Sequence, residues 1–313
     1  MREEALRALT APLAPLGMPA WVVGGGVRDA LEGRPVADLD VAVDGDAATA
    51  AAAVARAHRA TRFRLSRDFG AWRVQGGDLP APIDLTPLQG ADLVEDLGRR
   101  DLTVNALAVP AAGQGPPEVI DPYGGLDDLA ARRLRLVRPT GLADDPVRLL
   151  RLARIGEETG FEVEGATLAR ARADAGRLWE APGERLADEV GRIARLPRPD
   201  RAYERMDALG VLGVLVPQLE EARGLDQSAF HHKDVLGHTL EVVRHAAEVC
   251  ADPEPVFRGR AARVAEVMAR PLADELTARD ALMLPALLHD MAKPATRGVT
   301  PEGRVTFIGP DRL

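Results

Sequence analysis

The sequence predicts a mixed α/β head followed by a mostly helical remainder. Three observations carry this. Up to about residue 137, short alternating or β-branched runs such as "WVVG" (21–24), "DLDVAV" (38–43) and "PIDLT" (82–86) are separated by Gly and Pro. Beyond it, longer segments with helical apolar periodicity dominate, broken at Pro and Gly. A length of 313 residues at 46% hydrophobic composition supports two or three domains with buried cores.

The elements follow in order. Residues 2–9 read as a short helix. "WVVG" is a buried strand running into Gly24, Gly25 and Gly26, and "VRDALEG" (27–33) is a helix closed by Gly33. "DLDVAV" alternates as a half-buried strand does, and "AATAAAAVARAH" (47–58) is helical by propensity. "RFRL" (62–65), "AWRV" (71–74), "PIDLT" and "TVNALAV" (103–109) read as further short strands. "EVIDPYGGLDDLAARRLRLV" (118–137) reads as a turn, a helix and a strand. Four helical segments come next, at 144–161, 166–180, 183–196 and 201–215.

Composition excludes several classes. The net charge of −8 rules out a uniformly basic nucleic-acid binder, so RNA binding would need a local basic patch. The positive charge is almost all Arg, with Lys233 and Lys293 the only lysines. Cys250 is the single cysteine, which excludes an internal disulfide framework and a cysteine-based zinc site. No apolar run approaches membrane-spanning length, and "MREEALRALTAPL" lacks an apolar signal core. The expectation is a soluble, cytoplasmic protein without a membrane partner.

A strand, then glycines, then a helix lets backbone N–H groups approach a phosphate. The spacing matches neither a dinucleotide fingerprint nor a Walker A loop. Asp38 and Asp40 lie two apart, so on a strand they share a face, about 7 Å from each other. Such carboxylates repel unless a cation sits between them, and hard oxygen ligands beside a phosphate suit Mg²⁺. The ordinary alternative for an isolated D-x-D is a solvated strand face. Asp84, on a later strand, adds a third carboxylate. A phosphate-cradling turn beside three strand carboxylates is the layout of two-metal nucleotidyl transfer.

The motifs "GGGVRD…DLD", "RRDLTVNALAV", "IDPYGGLDDLAARRLRLV" and "DDPVRLLRLARIGEETGF" resemble, in this order, those of class II tRNA nucleotidyltransferases and bacterial poly(A) polymerases. The resemblance runs from about residue 20 to about 220. It implies a polymerase-β-like nucleotidyltransferase head (1–137), a helical neck (138–200) and a helical body (201–230). It also implies Mg²⁺-dependent addition of nucleotides from CTP or ATP to a tRNA 3′ end. Gly26 stands where relatives often have Ala or Cys.

The resemblance assigns roles. Gly25 and Arg28 contact the incoming nucleotide, Asp38 and Asp40 hold metal, and Asp84 is the candidate general base. Arg100 contacts nucleotide, Asn105 orients the same region, and Arg99 reads as a structural partner of Asp101. In "DDPVRLLRLAR", Asp145, Arg148, Arg151 and Arg154 recur every three residues along one side of a helix. Asp145 and Arg148 would read the base edge without a template, and Arg151 and Arg154 would face the triphosphate. The physics fits. Cytosine and adenine each offer an amine beside a ring acceptor, which a carboxylate and a guanidinium match. Uracil and guanine present the opposite polarity and leave charges unpaired. Asp145 precedes Pro146 and could also be a plain N-cap, unless Asp144 supplies it. Arg132, Arg133, Arg135 and Arg138 form a basic run that reads either as a solvated face or as contacts to RNA phosphates.

Towards the end, "GHTLEV" (237–242) and "LLHDMAKPATR" (287–297) resemble the opening of an HD phosphohydrolase domain, with His238, His289 and Asp290 matching its first metal ligands. No distal Asp follows in recognisable form, so residues 231–313 read as a partial HD-like region without robust hydrolase activity. Within the family the near rival is a poly(A) polymerase. Rivals of other classes are an HD-domain hydrolase and a noncatalytic tRNA-binding protein; the intact "DLD" and "RRD" oppose the hydrolase, and the two metal aspartates the noncatalytic binder. Only "LTPLQGADLVEDLG" (85–98) separates Asp84 from Arg99, too short for the flexible loop of full CCA-adding relatives. This resembles CC-adding enzymes, whose products a separate A-adding enzyme completes.

Overall fold

Strand β1 (Ala20–Val23) pairs antiparallel with β2 (Leu39–Val43), and β2 pairs in parallel with β5 (Ile83–Pro87). Strands β3 (Thr61–Arg64) and β4 (Trp72–Gln75) extend the sheet from β5, and β6 (Ala108–Pro110) closes the other edge. The order is β3-β4-β5-β2-β1-β6, a mixed six-stranded sheet. The computed structural model describes residues 9–111, 118–226, 233–273, 276–300 and 303–307. The expected helix at 2–9 falls almost wholly outside these, as do His231, His232 and residues 308–313.

Alternation divides the sheet into two faces. Val22, Leu39, Val41, Val43, Val74, Ile83 and Leu85 are buried against helix α2 (Ala47–Ala57), which contributes Ala50, Ala51 and Val54. Asp46 caps that helix, accepting from Ala48 N and Thr49 N. On the other face, Val23, Ala42 and Ala108 pack on Leu93 and Leu97 of α3 (Leu93–Gly98). Asp40 and Asp84 fall on this second face because their neighbours Leu39, Val41, Ile83 and Leu85 fill the first.

The glycines lead into α1 (Gly25–Leu31), and Gly33 has φ +68°, as expected of a helix stop. "TVNALAV" departs from expectation. Thr103–Asn105 is a single 3₁₀ turn, and only Ala108–Pro110 is strand. The polar side chains explain it. Thr103 Oγ1 donates to Asp128 (2.6 Å), and Asn105 Nδ2 donates to Asp101 (2.9 Å), partners a strand would not reach. Asp128 lies in α4 (Gly125–Ala130), whose first N–H groups are held by the Asp121 carboxylate.

The described chain divides into two compact units, residues 1–141 and 142–313. The second is helical, as expected. Its main helices are α5 (Arg148–Thr159), α6 (Gly165–Asp174), α7 (Gly183–Arg195), α8 (Pro199–Ala208), α9 (Val235–Ala251) and α10 (Ala278–Leu288). Arg279 of α10 caps α7 by donating to Ala194 O and Leu196 O, each at 2.6 Å. Two small hairpins, Pro271–Ala273 with Leu276–Thr277 and Gly298–Val299 with Val305–Thr306, interrupt the helical run. No helix among the described residues is long and apolar enough to cross a membrane.

Glu157 of α5 offers a test of the helical packing. Burial pushes its carboxyl above the usual range, outweighing Arg201 and Arg205. Folding then opposes its ionisation, so the folded state loses stability as pH rises through the raised value. Glu157→Gln is expected to raise Tm at neutral pH, and the gain is expected to vanish once pH falls below the ordinary glutamate range. Thermal melts of both proteins across that window check it.

Candidate active site

Gly24 has φ +78°, a conformation that favours glycine. A Cβ there would stand 2.8 Å from Arg100 Nη1 and 3.0 Å from Asp40 Oδ2. The turn therefore lets a guanidinium and a carboxylate close over bare backbone. Gly25 and Gly26 begin α1, where backbone N–H groups lack intrahelical acceptors.

Asp38 is exposed and sits just ahead of β2, while Asp40 is half-buried within it. In the ladder Asp40 lies opposite Val23 on one side and Asp84 on the other. A cavity of about 170 Å³ opens here, lined by Asp40, Thr86, Gln89, Asp96 and Arg100. The donors are hard oxygens at the mouth of this cavity, which fits a divalent ion beside phosphate. The three carboxylates are not gathered into one metal-sized cluster, however. Arg73, opposite Asp84 on β4, holds both its oxygens in a fork, Nε to Oδ1 and Nη2 to Oδ2 at 2.7 Å each. Asp84 is thus held in an ion pair on the side facing β4.

The arginines sort into distinct roles. Arg28 is 6% exposed. It donates to Asp29 at 3.0 Å and to Asn105 Oδ1 at 2.7 Å, and Asn105 passes the chain on to Asp101. The Arg28 guanidinium, on the helix that the glycine turn opens, is held by Asp29 and Asn105. Arg99 pairs with Glu95 at 2.6 Å, one turn back, where Asp101 was the expected partner. Arg100 lies 3.5 Å from Asp96, which also accepts from Gln89 N. Asp96 and Gln89 line the cavity yet carry no sequence motif that singles them out.

In the basic run, Arg133 and Arg135 both pair with Asp128, which is 0% exposed, and Arg132 lies 3.7 Å from Glu32. Arg138 lies beside Tyr123, close over Gly98. Three of the four are thus paired with carboxylates of the head.

In the second unit, α5 begins at Arg148 with Val147 at the cap position. Asp145 is not its N-cap, and Asp144 ends a separate turn, Gly141–Asp144. The Asp145 carboxylate instead accepts two hydrogen bonds from Arg185 of α7, at 3.0 and 2.9 Å, with Arg148 Nε 3.6 Å away. Arg185 was not foreseen; nothing in its local sequence marks a partner forty residues upstream. Arg151 is half-buried. Arg154 is 9% exposed and pairs with Glu189 of α7 and with Glu158. Those carboxylates hold its proton more tightly even against the desolvation that opposes charge. It ties α5 to α7.

His238, His289 and Asp290 come together, with ligand atoms within 4.8 Å of one another, the only such group of three among the described residues. His289 Nδ1 lies 2.9 Å from Ala286 O and its Nε2 lies 3.0 Å from Asp290 Oδ2. The Lys293 ammonium stands 2.7 Å from the same oxygen. The donor set fits a divalent ion, with no fourth protein ligand joining among the described residues.

Comparison with known proteins defines the class. Residues 20–89 and 83–135 match the poly A polymerase head domain, and residues 160–223 match a probable RNA- and SrmB-binding site of polymerase A. The chain belongs to the tRNA nucleotidyltransferase and bacterial poly(A) polymerase family. It is 37% identical over 308 residues to an A-adding tRNA nucleotidyltransferase of Deinococcus radiodurans, covering 96% of this chain and 63% of that protein. It is 37% identical over 223 residues to a CC-adding tRNA nucleotidyltransferase of Geobacter sulfurreducens, covering 69% and 51%. A tRNA nucleotidyltransferase solved with a primer tRNA and an incoming ATP analog superposes with a TM-score of 0.68 at 26% identity, covering 90% of this chain and 75% of that one. The chain thus spans between half and two thirds of the length of these curated relatives.

Gly24→Ala tests the site's geometry. The strained φ and the displaced Arg100 and Asp40 are expected to cost about 1–3 kcal/mol of stability, and nucleotide incorporation is expected to fall at least about tenfold. A melt and a single-turnover assay check the pair, and full activity would show that Arg100 and Asp40 need not close over the turn.

Proposed function

We propose that this chain is a tRNA nucleotidyltransferase, extending a tRNA 3′ end from CTP or ATP with Mg²⁺. Residues 138–200 and 201–230 act as its neck and body, and 231–313 form a partial HD-like region. The observation that carries the reading is the glycine turn, with Arg100 and Asp40 closed over Gly24 at the mouth of an acidic cavity. In the transfer, the RNA 3′-hydroxyl releases its proton to water, its oxygen bonds to the α-phosphorus, the bond to the β-phosphate bridge breaks, and pyrophosphate leaves. Asp38 and Asp40 would hold the metal, which when bound lowers the pKa of the attacking hydroxyl and neutralises the triphosphate. Gly25 brings backbone N–H groups to the phosphates, and Arg100 adds a positive charge beside them. Asp84, neutralised by Arg73, keeps that flank of the face from adding a further free negative charge.

Base choice rests on Asp145 and Arg148. The carboxylate accepts from the exocyclic amine of cytosine or adenine, and the guanidinium donates to the ring acceptors. The site then has one setting. Between β5 and α3 only residues 88–92 remain, and they are stapled. Gln89 N donates to Asp96, Gln89 Nε2 to Pro87 O, and Ala91 N to Glu95. No segment there is left to act as a lever from one base to the other. Cytosine fits a fixed reader and the larger adenine requires it to move, so CC addition is the reading this connection supports. A second reading, addition of A alone, is favoured by the Deinococcus relative, whose similarity extends over nearly the whole chain.

Incubation with CTP or ATP singly decides between them, using tRNA that ends at its discriminator base and tRNA that ends in CC. Two C residues on the first and nothing on the second is expected. ATP incorporation on the second alone would establish the A-adding reading, and a long ATP tail would establish poly(A) polymerase. Asp145→Ala and Arg148→Ala are each expected to lose about tenfold or more of the preference for the accepted nucleotide over UTP and GTP. Unchanged ratios would remove both residues from base reading.

A further inference from the structure

The row of residues that holds the carboxylates continues past them to the edge of the sheet. Val23, Asp40, Asp84, Arg73 and Phe63 are successive register partners from β1 to β3. Register partners face the same side. Their chain neighbours Arg62, Val74 and Leu85 belong to the opposite face, where Val74 and Leu85 are buried and Arg62 reaches Ala48 O of α2. Phe63 therefore shares the face of Asp84 and Asp40. At a strand spacing near 4.8 Å it lies roughly 10 Å from Asp84 and roughly 14 Å from Asp40.

Phe63 is 40% exposed, Leu65 45% and Phe69 61%. Phe69, in the turn between β3 and β4, lies beside the cavity, since cavity-lining Gln89 donates to its carbonyl oxygen at 3.4 Å. In a chain of net charge −8, the segment from Thr61 to Gln75 carries four arginines and one aspartate. Arg62 stacks over Trp72 and Arg73 is held by Asp84. Arg64 and Arg67 are exposed, and no carboxylate pairs with either among the described residues. Two bare rings among unpaired guanidiniums suit a polyanion with flat apolar faces. They suit a second copy of the same edge poorly, because like charges would meet.

We propose that the β3–β4 hairpin is the platform for the RNA strand being extended, with Phe63 and Phe69 stacking on bases near its 3′ end and Arg67, in the turn beside Phe69, contacting its phosphates. This rests on the nucleotidyltransferase reading and assigns the site's RNA side to residues that the basic run at 132–138 does not include. Stacking on an aromatic ring tolerates any base, so the platform would hold the growing end through successive additions without choosing the next nucleotide.

The test is a comparison of wild type with Phe63→Ala, Phe69→Ala and Arg67→Ala. Steady-state kinetics supply KM for tRNA and for nucleotide, and anisotropy supplies nucleotide-free tRNA binding across salt. Loss of either ring is expected to raise the tRNA KM about tenfold, with the nucleotide KM and kcat unchanged within about twofold, and Phe63→Trp is expected to restore binding. Arg67→Ala is expected to flatten the salt dependence by about one counterion. An unchanged tRNA KM, or a rise in nucleotide KM alone, overturns the proposal. So does a concentration-dependent dimer that Phe63→Ala abolishes. If wild type binds tRNA through these rings but adds no nucleotide, the platform stands and the transfer reading falls.

Discussion

A strand that buries one side chain must turn the next one away, and the head depends on that constraint in β2 and β5. Leu39, Val41, Ile83 and Leu85 are taken into the core against α2. Asp40 and Asp84 are then forced to the opposite face, and the parallel register places them side by side. That face is covered only in part, where Val23 and Ala42 meet Leu93 and Leu97. A carboxylate left half in water keeps its charge at modest cost, whereas full burial would demand a partner. The same register delivers Arg73 to Asp84 and sets Phe63 beyond it. The acidic cavity, its neutralised flank and its apolar edge thus follow from one alternation.

Burial also decides what the arginines do. Wherever a carboxylate is sealed from water, guanidiniums are drawn to it. Asp128, 0% exposed, takes Thr103, Arg133 and Arg135, and Glu189, 3% exposed, takes Arg154. Stranding either carboxylate by removing its partner would cost about 3–5 kcal/mol, more than a surface contact to phosphate returns. Arg64 and Arg67 sit on an edge strand and a turn, where no buried acid competes for them. Proximity in sequence to other arginines is a weaker guide to phosphate binding than distance from a buried carboxylate.

This explains which parts were legible in advance. The glycine turn, the strand order of the head through β5 and the helical second half are local patterns of spacing and periodicity, and the structure repeats them; of the two aspartates only Asp40 lies within β2. The 3₁₀ turn at Thr103–Asn105, the fork on Asp84 and the ion pairs of Arg132, Arg133 and Arg135 depend on residues 5 to 100 positions away. The spacing of Asp145, Arg148, Arg151 and Arg154 predicted a shared side of one helix, and did not predict that Arg154 would be drawn inward by Glu189. Nor did the Asp-Pro pair make an N-cap, because the helix starts two residues after the proline.

The proposed base reader is held by ion pairs within the second unit. Arg185 and Glu189 lie one turn apart on α7, hence on one face, and they grip Asp145 ahead of α5 and Arg154 within it. Selectivity against the wrong base requires that the reader's carboxylate stay put when its polarity is mismatched; one free to swing into water would lose only a weak contact. A fork of two hydrogen bonds from Arg185 restrains that swing. The same bracing resists the shift that accepting a larger base would need. In the head, the stapled residues 88–92 leave no loop to drive such a shift. If Asp145 and Arg148 read the base as proposed, stiffness at each place favours a single nucleotide setting, with fidelity for one base gained at the expense of the ability to change it.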